Sequence, residues 1–367
     1  MKTKAAVLFE ANTKLEICKV DLEKPQAGEV CVEIKAAGVC HTDYSVMKGQ
    51  LNAPLPAILG HEGAGVVVEV GDGVSDVQVG DHVIPLWRLS CGECEYCLRR
   101  RPALCAVGSK IRSSGRMSDG RSRFSLNGKE IFHFAGVSAF SNFSVLPEGA
   151  VLKIPKDLPF DLAALIGCSV ITGVGSVMNA AEMRPGSSVA VFGAGGIGVN
   201  VIQGATLAGA KEIIAIDQYD SRLDQARTFG ATRVINSKNE DPVAAIRQFT
   251  NERGVDFAFE AVGLPITIQQ AYESLSKAGK AIVIGIPSNT AKISISAVPL
   301  VFEERTITGS LYGSASPRLD IPKMINLYKD GKLNLEKLLT NQYPLEEINE
   351  AYDAMMSGES LRSVITF

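Results

Sequence analysis

The sequence predicts an α/β protein with a β-rich first domain and a second domain built on a doubly wound parallel sheet of six strands. Three observations support this fold class. Short β-type runs alternate with glycines in the first third of the chain, strand and helix patterns alternate after about Ile171, and a glycine-rich turn at 193–198 joins a strand to a helix. The predicted domains are residues 1–170 and 171–311, and residues 312–367 are predicted to return to the first domain.

The first domain is predicted from apolar and β-branched runs that are bounded by glycines. Such runs predict a partly antiparallel set of strands at 30–36, 65–70, 82–85 and 143–146. Residues 108–128 are rich in Ser, Gly and Arg and have little hydrophobic patterning, so they predict a long surface excursion.

The second domain is predicted from strands that alternate with helical connections, which is the pattern of a parallel sheet. Helices are expected to begin at Ile197 and Ser221. The six strands are expected at 188–192, 212–217, 234–235, 257–261, 280–285 and 305–311. Beyond them, the pattern predicts helices at 321–328 and 345–356 and a strand at 363–367.

Composition and charge narrow the function classes. Hydrophobic residues make up 46% of the chain and charged residues 21%, which indicates a folded globular protein. The net charge of -3 and the absence of a basic run longer than Arg99, Arg100 and Arg101 argue against a nucleic-acid partner. The apolar run at 5–9 is too short for a secretory signal, so a cytoplasmic location is predicted. Uncharged stretches at 162–181 and 189–210 contain glycines and polar residues, which predicts buried core and no membrane span.

Four of the eight cysteines lie at the spacing of metal ligands within a loop at 90–106. Cys91, Cys94, Cys97 and Cys105 can place four thiolates around one ion, and a closed four-cysteine shell is typical of structural zinc. An iron–sulfur site and four unligated core cysteines are the alternatives.

Cys40, His61 and Cys168 are far apart in the sequence, but each lies at a predicted junction of strand or helix. Two thiolates and one imidazole would leave the fourth position of zinc open, which is the arrangement of a catalytic site. From the residues alone, burial of all three in a core is equally compatible.

The turn Gly193, Ala194, Gly195, Gly196, Ile197 and Gly198 follows a predicted strand and opens an apolar helix. Glycines there allow backbone amides to approach a pyrophosphate at the helix N-terminus. Asp217 ends the next predicted strand, where a carboxylate binds ribose hydroxyls and repels a 2'-phosphate. The sequence therefore predicts NAD rather than NADP.

The order of these motifs resembles that of the medium-chain zinc-dependent alcohol dehydrogenases, and the resemblance extends over essentially the whole chain. It includes the run from Gly60 to Gly65, the four-cysteine loop, the glycine turn and the C-terminal segment 357–362. The retained segment 117–120 resembles the long, dimeric animal-type branch (class I/III-like). This resemblance implies a GroES-like β-rich catalytic domain, a Rossmann domain, a cytoplasmic homodimer, two Zn²⁺ per chain and NAD.

The resemblance also implies roles for individual residues. Cys40, His61 and Cys168 would hold the catalytic zinc, Asp43 would orient His61, and Glu62 would approach the metal during ligand exchange. Thr42 would accept the alcohol proton and pass it to the cofactor ribose. Some family relatives complete this relay with a histidine where the present chain has Ser45, so His41 or solvent would receive the proton. Seen alone, Asp43 and Glu62 would be interpreted as capping or surface carboxylates.

Further residues are implied at the cofactor and at the substrate. His41, Arg222, Ile286 and Arg362 would contact NAD together with the glycine turn and Asp217, although single arginines are usually solvated surface cations. The alcohol channel would be lined by Leu51, Trp87, Phe134, Ile286 and Leu311. Trp87 is the only tryptophan, and the alternative for it is simple core packing.

These observations predict reversible oxidation of primary alcohols, including medium-chain, allylic or aromatic ones, by hydride transfer to NAD. S-(hydroxymethyl)glutathione oxidation is the alternative, although Ser109 replaces the arginine that relatives use for the glutathione carboxylate and acidic residues near Leu51 are missing. A polyol dehydrogenase is disfavoured, because those relatives replace ligand cysteines with acidic residues. A catalytically silent zinc and nucleotide binder is disfavoured by the intact Cys40, His61 and Cys168.

Overall fold

A computed structural model describes residues 1–358 and 360–367, so Glu359 of the C-terminal motif lies outside the described residues. Its strands are β1 (Lys2–Leu8), β2 (Glu16–Leu22), β3 (Glu29–Gly38), β4 (Ala57–Ile58), β5 (Gly63–Val70), β6 (His82–Pro85), β7 (Phe124–Leu126), β8 (Lys129–His133), β9 (Phe143–Pro147), β10 (Val151–Lys153), β11 (Ser188–Phe192), β12 (Glu212–Asp217), β13 (Arg233–Asn236), β14 (Val255–Glu260), β15 (Leu275–Val283), β16 (Thr306–Gly309), β17 (Leu339–Pro344) and β18 (Arg362–Thr366).

The helices connect these strands and cover the sheets. They are α1 (His41–Met47), α2 (Glu95–Leu98), α3 (Ala106–Ser114), α4 (Phe160–Leu165), α5 (Ile171–Gly175), α6 (Gly196–Leu207), α7 (Asp220–Thr228), α8 (Pro242–Phe249), α9 (Pro265–Glu273), α10 (Ala297–Phe302), α11 (Pro317–Lys329) and α12 (Ile348–Ser357).

The first compact unit comprises Met1–Cys168, Ser316–Ile325 and Leu335–Phe367. It contains a closed barrel in the order β1-β2-β7-β8-β4 and a seven-stranded sheet in the order β10-β6-β5-β3-β18-β17, with β9 paired to β3. Most neighbours are antiparallel, as in β3 with β5 and β18 with β3. Apolar side chains of the barrel and the sheet share one core, which includes Leu8, Ile34 and Phe140. The β-rich first domain of the predicted fold class is confirmed.

The second unit comprises Ser169–Ala315 and Asn326–Asn334. Its sheet has six strands in the order β13-β12-β11-β14-β15-β16, and every neighbouring pair is parallel. The strand order reverses direction around β11 and β14, which is where doubly wound sheets bind ligands beyond the carboxyl ends of their strands. The predicted parallel sheet is confirmed, with strand bounds that differ from prediction by a few residues.

One apolar helical segment, Phe160–Ala181, is long and apolar enough to cross a membrane, and it overlaps the first uncharged stretch. Within its most apolar window 89% of the residues are buried inside the protein, which favours a core helix. The segment contains two π-helical turns, Ile166–Val170 and Ser176–Ala181. Cys168 lies in the first of them, and π turns often occur at functional positions.

The surface excursion predicted at 108–128 is confirmed only in part, since residues 118–121 are exposed but much of the rest has regular or buried structure. The segment contains most of α3 and the strand β7, and the side chains of Met117, Arg123 and Phe124 are buried. Arg123 binds both carboxylate oxygens of Glu29, at 2.9 and 2.7 Å. Because this pairing partner lies 94 residues away in the chain, local hydrophobic patterning carries no sign of it.

Candidate functional site

Three chain segments meet at one end of the seven-stranded sheet. Ala37 of β3 is paired with Gly63 of β5 on one side and with Ile365 of β18 on the other. Cys40 follows the end of β3, His61 and Glu62 precede β5, and Arg362 begins β18. The register of the sheet therefore brings these groups together although they are far apart in sequence.

Cys40, His61, Glu62 and Cys168 form a buried cluster whose ligand atoms all lie within 4.8 Å of one another. The Sγ of Cys168 is 3.3 Å from Nε2 of His61. A hydrogen bond from Cys168 holds the pKa of Cys40 well below its usual range despite burial. Two thiols, an imidazole and a carboxylate are ligands that zinc takes in proteins, so this donor set fits the predicted catalytic zinc.

Asp43 fixes the imidazole of His61 from the side opposite the thiols. Its Oδ2 lies 2.8 Å from Nδ1 of His61, and its Oδ1 accepts a hydrogen bond from the backbone N–H of Gly60 at 2.8 Å. Asp43 is fully buried in α1. Because Nδ1 faces the carboxylate, Nε2 is the nitrogen directed toward the cluster, which is the usual arrangement around a zinc-bound histidine.

Glu62 is fully buried and its Oε2 accepts a hydrogen bond from the guanidinium of Arg362. Burial raises the pKa of Glu62 to about 7, against the lowering effect of Arg362. Its other oxygen, Oε1, lies 3.9 Å from Nε2 of His61. In this structure Arg362 is thus the partner of Glu62, while its predicted contact with a pyrophosphate stays a prediction.

Aromatic rings stand beside the histidine of this cluster. The ring centroid of Trp87 is 5.7 Å and that of Phe134 is 6.1 Å from the imidazole of His61, both edge to face. Leu51 is half-buried and packs on the same core as Trp87. Leu311 is half-buried in the second unit and Ile286 there is exposed. In the first unit the predicted aromatic residues Trp87 and Phe134 therefore lie near the ligand His61.

The predicted proton-transfer residues lie in the first turns of α1. Cys40 is the N-cap of this helix, His41 is exposed, and Thr42 and Ser45 are half-buried. The carbonyl oxygen of Ser45 accepts hydrogen bonds from the backbone N–H groups of Gln50 and Leu51. The helix therefore links a metal ligand, the two hydroxyls and the Leu51 turn.

The loop of four cysteines brings its thiols together locally. Cys91, Cys94, Cys97 and Cys105 also have all Sγ atoms within 4.8 Å of one another. Backbone N–H groups of Cys94 and Gly108 donate to Sγ of Cys91 and Cys105, at 3.3 and 3.4 Å. Backbone hydrogen bonds from Cys97 and Ala106 lower the pKa of Cys94 to about 6. Such N–H···S contacts stabilise thiolates, so this donor set fits a closed zinc site.

The glycine turn and Asp217 form the predicted dinucleotide site of the second unit. Gly193 has a φ of 93°, and a Cβ at Gly198 would collide with the carbonyl oxygen of Gly193. Asp217 Oδ2 accepts a hydrogen bond from the backbone N–H of Ala194 at 2.8 Å, and Nη1 of Arg222 lies 3.9 Å from the same oxygen. Gly195 is the N-cap of α6 and has open space beside it. This arrangement leaves the helix N-terminus accessible to an anion.

Comparison with known proteins agrees with both units. Residues 26–156 match the family model described as an alcohol dehydrogenase GroES-like domain, and residues 196–330 match that of a zinc-binding dehydrogenase. The chain is 45% identical to an alcohol dehydrogenase class-3 of Cereibacter sphaeroides, with 100% of both chains covered. The same identity and coverage hold for an S-(hydroxymethyl)glutathione dehydrogenase of Paracoccus denitrificans. The chain belongs to the medium-chain zinc alcohol dehydrogenase family, on its class III-like side.

Solved structures of family members are also similar. The benzyl alcohol dehydrogenase of Acinetobacter calcoaceticus superposes with a TM-score of 0.95 at 36% identity, covering 100% of this chain and 99% of the other. The protein is thus a zinc-dependent alcohol dehydrogenase with the GroES-like and Rossmann folds. It uses zinc and NAD, and the two groups of ligand atoms described above match a catalytic and a structural zinc.

Sequence reasoning missed one residue close to the catalytic cluster of this alcohol dehydrogenase. Tyr352 in α12 is buried, its ring stacks 6.1 Å from that of Tyr44, and its hydroxyl has no hydrogen-bond partner among the described residues. Burial raises its pKa well above the usual value, and Asp43 and Cys40 add to this effect. Only the apolar periodicity of α12 was visible in the sequence, which gives no sign of contact with α1.

Proposed function

We propose that this dehydrogenase oxidises primary alcohols, including medium-chain, allylic and aromatic ones, and reduces the corresponding aldehydes. The observation that carries the proposal is the buried set of Cys40, His61 and Cys168 beside the rings of Trp87 and Phe134. Zinc, when bound by these ligands, supplies a Lewis acid that makes the alcohol hydroxyl easier to deprotonate. The aromatic rings favour an apolar substituent on the carbinol carbon.

The residues around the ligands have distinct proposed tasks. Asp43 holds Nδ1 of His61, so that Nε2 keeps its direction toward the metal position. Glu62 would supply a further ligand oxygen during ligand exchange. Arg362 would hold the Glu62 carboxylate at all other times, as it does in the structure. Thr42 Oγ1 takes the proton of the alcohol hydroxyl and passes its own hydroxyl proton on toward the cofactor ribose, so that Thr42 stays neutral. Ser45 has no useful basicity near neutral pH, so His41, which is exposed, passes the proton to solvent.

NAD is bound through the glycine turn in this proposal. Gly193, Gly195, Gly196, Ile197 and Gly198 present backbone amides to the pyrophosphate, and Arg362 and His41 add positive charge. Asp217 binds the ribose hydroxyls with Arg222 beside it, and Ile286 contacts the nicotinamide end.

The variant Asp217→Ala tests the assignment of NAD as the cofactor. Loss of charge-assisted hydrogen bonds to the ribose is expected to lower kcat/KM for NAD by about 10- to 100-fold, because each is worth roughly 1.5–3 kcal/mol. Activity with NADP should rise relative to NAD. Asp220→Ala is the matched control, since Asp220 is an exposed carboxylate of the adjacent helix. An unchanged ratio of NAD to NADP activity in Asp217→Ala would remove this residue from the cofactor site.

S-(hydroxymethyl)glutathione is the second candidate substrate, and the names of the 45% identical relatives favour it. Ser109 at the position of the carboxylate-binding arginine and the missing acidic residues near Leu51 argue against it. Steady-state kinetics with 1-octanol, benzyl alcohol, a secondary alcohol and the glutathione adduct decide between the two. A higher kcat/KM for the adduct than for every primary alcohol would reverse the order proposed above.

We also propose that the protein is a cytoplasmic homodimer. The helix α10 carries Val298, Val301 and Phe302 with exposed side chains, and β16 is an edge strand of the six-stranded sheet. Unpaired strand edges beside apolar side chains are typical sites of self-association. Among the described residues none of the eight cysteines forms a disulfide, which suits a reducing compartment. Light scattering of wild type and Phe302→Asp tests the dimer, and an unchanged mass would exclude this surface.

A further inference from the structure

Tyr352 in α12 is a buried polar residue that the proposed mechanism does not use, although it lies close to the catalytic cluster. It is 2% exposed, and its hydroxyl makes no hydrogen bond with any residue that the structure describes. A buried phenol usually has a hydrogen-bond partner, because leaving its O–H unpaired costs free energy. The hydroxyl of Tyr352 therefore needs an explanation that packing alone does not supply.

The ring of Tyr352 packs on two segments that both lead to Asp43. On one side it stacks on Tyr44, the residue after Asp43, with ring centroids 6.1 Å apart. On another side it meets Phe140 edge to face at 6.3 Å. A Cβ at Gly60 would collide with the backbone nitrogen of Phe140, and the N–H of Gly60 donates to Oδ1 of Asp43. The packing therefore places the phenol on the side of the cluster that carries Asp43.

The charges around the phenol agree with this position. Burial raises the pKa of Tyr352 well above its usual value, and among the neighbouring charges Asp43 has the largest effect, followed by Cys40. Glu62 acts in the same direction and Arg362 in the opposite one. The phenol therefore stays protonated near neutral pH, so that it can donate a hydrogen bond to a nearby acceptor.

Asp43 is the acceptor on this side of the cluster that has room for a further donor. Its carboxylate is fully buried, Oδ1 accepts the N–H of Gly60, and Oδ2 faces Nδ1 of His61, each at 2.8 Å. An ionised carboxylate has about four acceptor positions, so about two of them are left. A charge that has lost its water is stable only when hydrogen bonds replace that water. A donor without an acceptor thus lies near an acceptor without its full set of donors.

We propose that Tyr352 is a positioning residue of the catalytic centre, whose hydroxyl completes the hydrogen bonding of Asp43 through one buried water molecule. Buried waters typically make about three hydrogen bonds to polar groups that would otherwise be unpaired. With this link Asp43 keeps the orientation in which it faces Nδ1 of His61, so that Nε2 stays directed toward the metal position. Tyr352 acts only through Asp43 and touches no substrate. This inference rests on the zinc site of the proposed function and not on its choice of alcohol.

The variant Tyr352→Phe removes the hydroxyl and keeps the ring. Residues that orient a zinc ligand typically contribute about 10- to 100-fold to metal affinity, and Tyr352 acts one step further out, so the catalytic zinc should pass to EDTA roughly 3- to 10-fold faster. The loop zinc should leave at the wild-type rate, and Cys97→Ser identifies its phase. Tyr44→Phe is the matched control, because it removes a hydroxyl from the half-buried ring of the same stack. It should leave both phases unchanged.

Combination with Asp43→Asn shows whether Tyr352 acts through Asp43. If it does, the double variant should release zinc and oxidise alcohol at the rates of Asp43→Asn alone, because the effects of residues in one hydrogen-bonded network are not additive. Single effects that multiply in the double variant would mean that Tyr352 acts independently of Asp43, which overturns the proposal.

Kinetics and melting temperature complete the test of Tyr352→Phe. With a primary alcohol, kcat should fall by roughly 3- to 10-fold while KM for NAD stays unchanged, because Asp43 orients a metal ligand. A phenol without any partner would behave differently, since its removal should raise the melting temperature and leave zinc release and kcat unchanged. That result excludes the proposal, and so does a lower melting temperature with unchanged zinc release and kcat. If no alcohol is oxidised while zinc release still depends on Tyr352, the proposed substrate is wrong and the positioning role stands.

Discussion

The two groups of zinc ligands use similar atoms in opposite surroundings. Cys91, Cys94, Cys97 and Cys105 come from one loop, three of them are half-buried, and backbone N–H groups bind their sulfurs. Cys40, His61 and Cys168 come from three distant segments, and all are buried beside Asp43 and Glu62. A local loop can form its shell from its own backbone, whereas the distant site depends on the register of β3, β5 and β18.

This difference in ligands determines what each site can do. The loop has four sulfurs, which fill the tetrahedral shell of zinc and leave no position for a substrate. The buried cluster has two sulfurs, one imidazole nitrogen and a carboxylate, Glu62, that the guanidinium of Arg362 can hold away from the metal position. Reactivity therefore belongs to the site with the incomplete shell, and stabilisation of the loop belongs to the other.

The largest effect is expected from Cys40→Ser. Loss of one thiolate should reduce zinc from two ions to one per chain and lower kcat by about 1,000-fold or more, because the Lewis acid supplies several kcal/mol to the transition state. Metal analysis and steady-state kinetics measure both. Cys18→Ser is the matched control, since Cys18 lies in β2 outside both ligand groups. Retention of two zinc ions in Cys40→Ser would exclude this cysteine as a ligand.

A smaller effect is expected from Asp43→Asn, which keeps the size of the side chain but removes the charge that faces His61. Groups that orient metal-bound histidines typically contribute about 10- to 100-fold to activity or metal affinity. Titration with a chelator should extract the catalytic zinc more readily, with no change at the loop. Equal sensitivity of both zinc ions to the variant would contradict the separation of the two sites.

Cys97→Ser should act mainly on stability. Removing a ligand of the closed shell is expected to release the second zinc and lower the melting temperature by about 5–10 °C, if the loop loses about 3 kcal/mol. The value of kcat measured well below that temperature should change by only a few fold. A loss of activity as large as that of Cys40→Ser would show that the loop takes part in the chemistry.

The smallest effect is expected in the dependence of stability on acidic pH. His133 is buried, and burial, with Arg123 nearby, lowers its pKa to about 3. The unfolded chain binds a proton at a higher pH than the native protein, so this group lowers stability as the pH falls below about 6.5. His133→Phe should therefore flatten the dependence of melting temperature on pH between 7 and 5. The same scan of Cys97→Ser measures the part caused by zinc release from the loop. An unaltered slope in His133→Phe would exclude this histidine as a source of the acid sensitivity.

Local patterns in the sequence predicted much of the fold. The glycine turn at 193–198 and the alternation of strand and helix predicted the parallel sheet, because both signals lie within short windows. The four cysteines at 91–105 predicted their own convergence for the same reason. By contrast, the burial of Arg123 and the pairing of Arg362 with Glu62 depend on residues 94 and 300 positions away, which no local pattern records.

The candidate catalytic site could be predicted only in part from the sequence. Spacing alone left Cys40, His61 and Cys168 open to a second interpretation as core residues, and the resemblance to a known family selected the ligand interpretation. Neither source indicated that Tyr352 stacks on Tyr44, since this contact depends on how α12 packs against α1.

The helical segment Phe160–Ala181 has a consequence for how such proteins can be divided. The boundary between the two compact units falls between Cys168 and Ser169, inside this segment and not in a linker. A chimera that exchanges one unit for that of a relative must be spliced within helical turns. Inserting or deleting one residue upstream in the helix would rotate the thiol of Cys168 by about 100° around the axis. A chimera that exchanges one unit must therefore keep the same number of helical residues before Cys168 as the parent protein has.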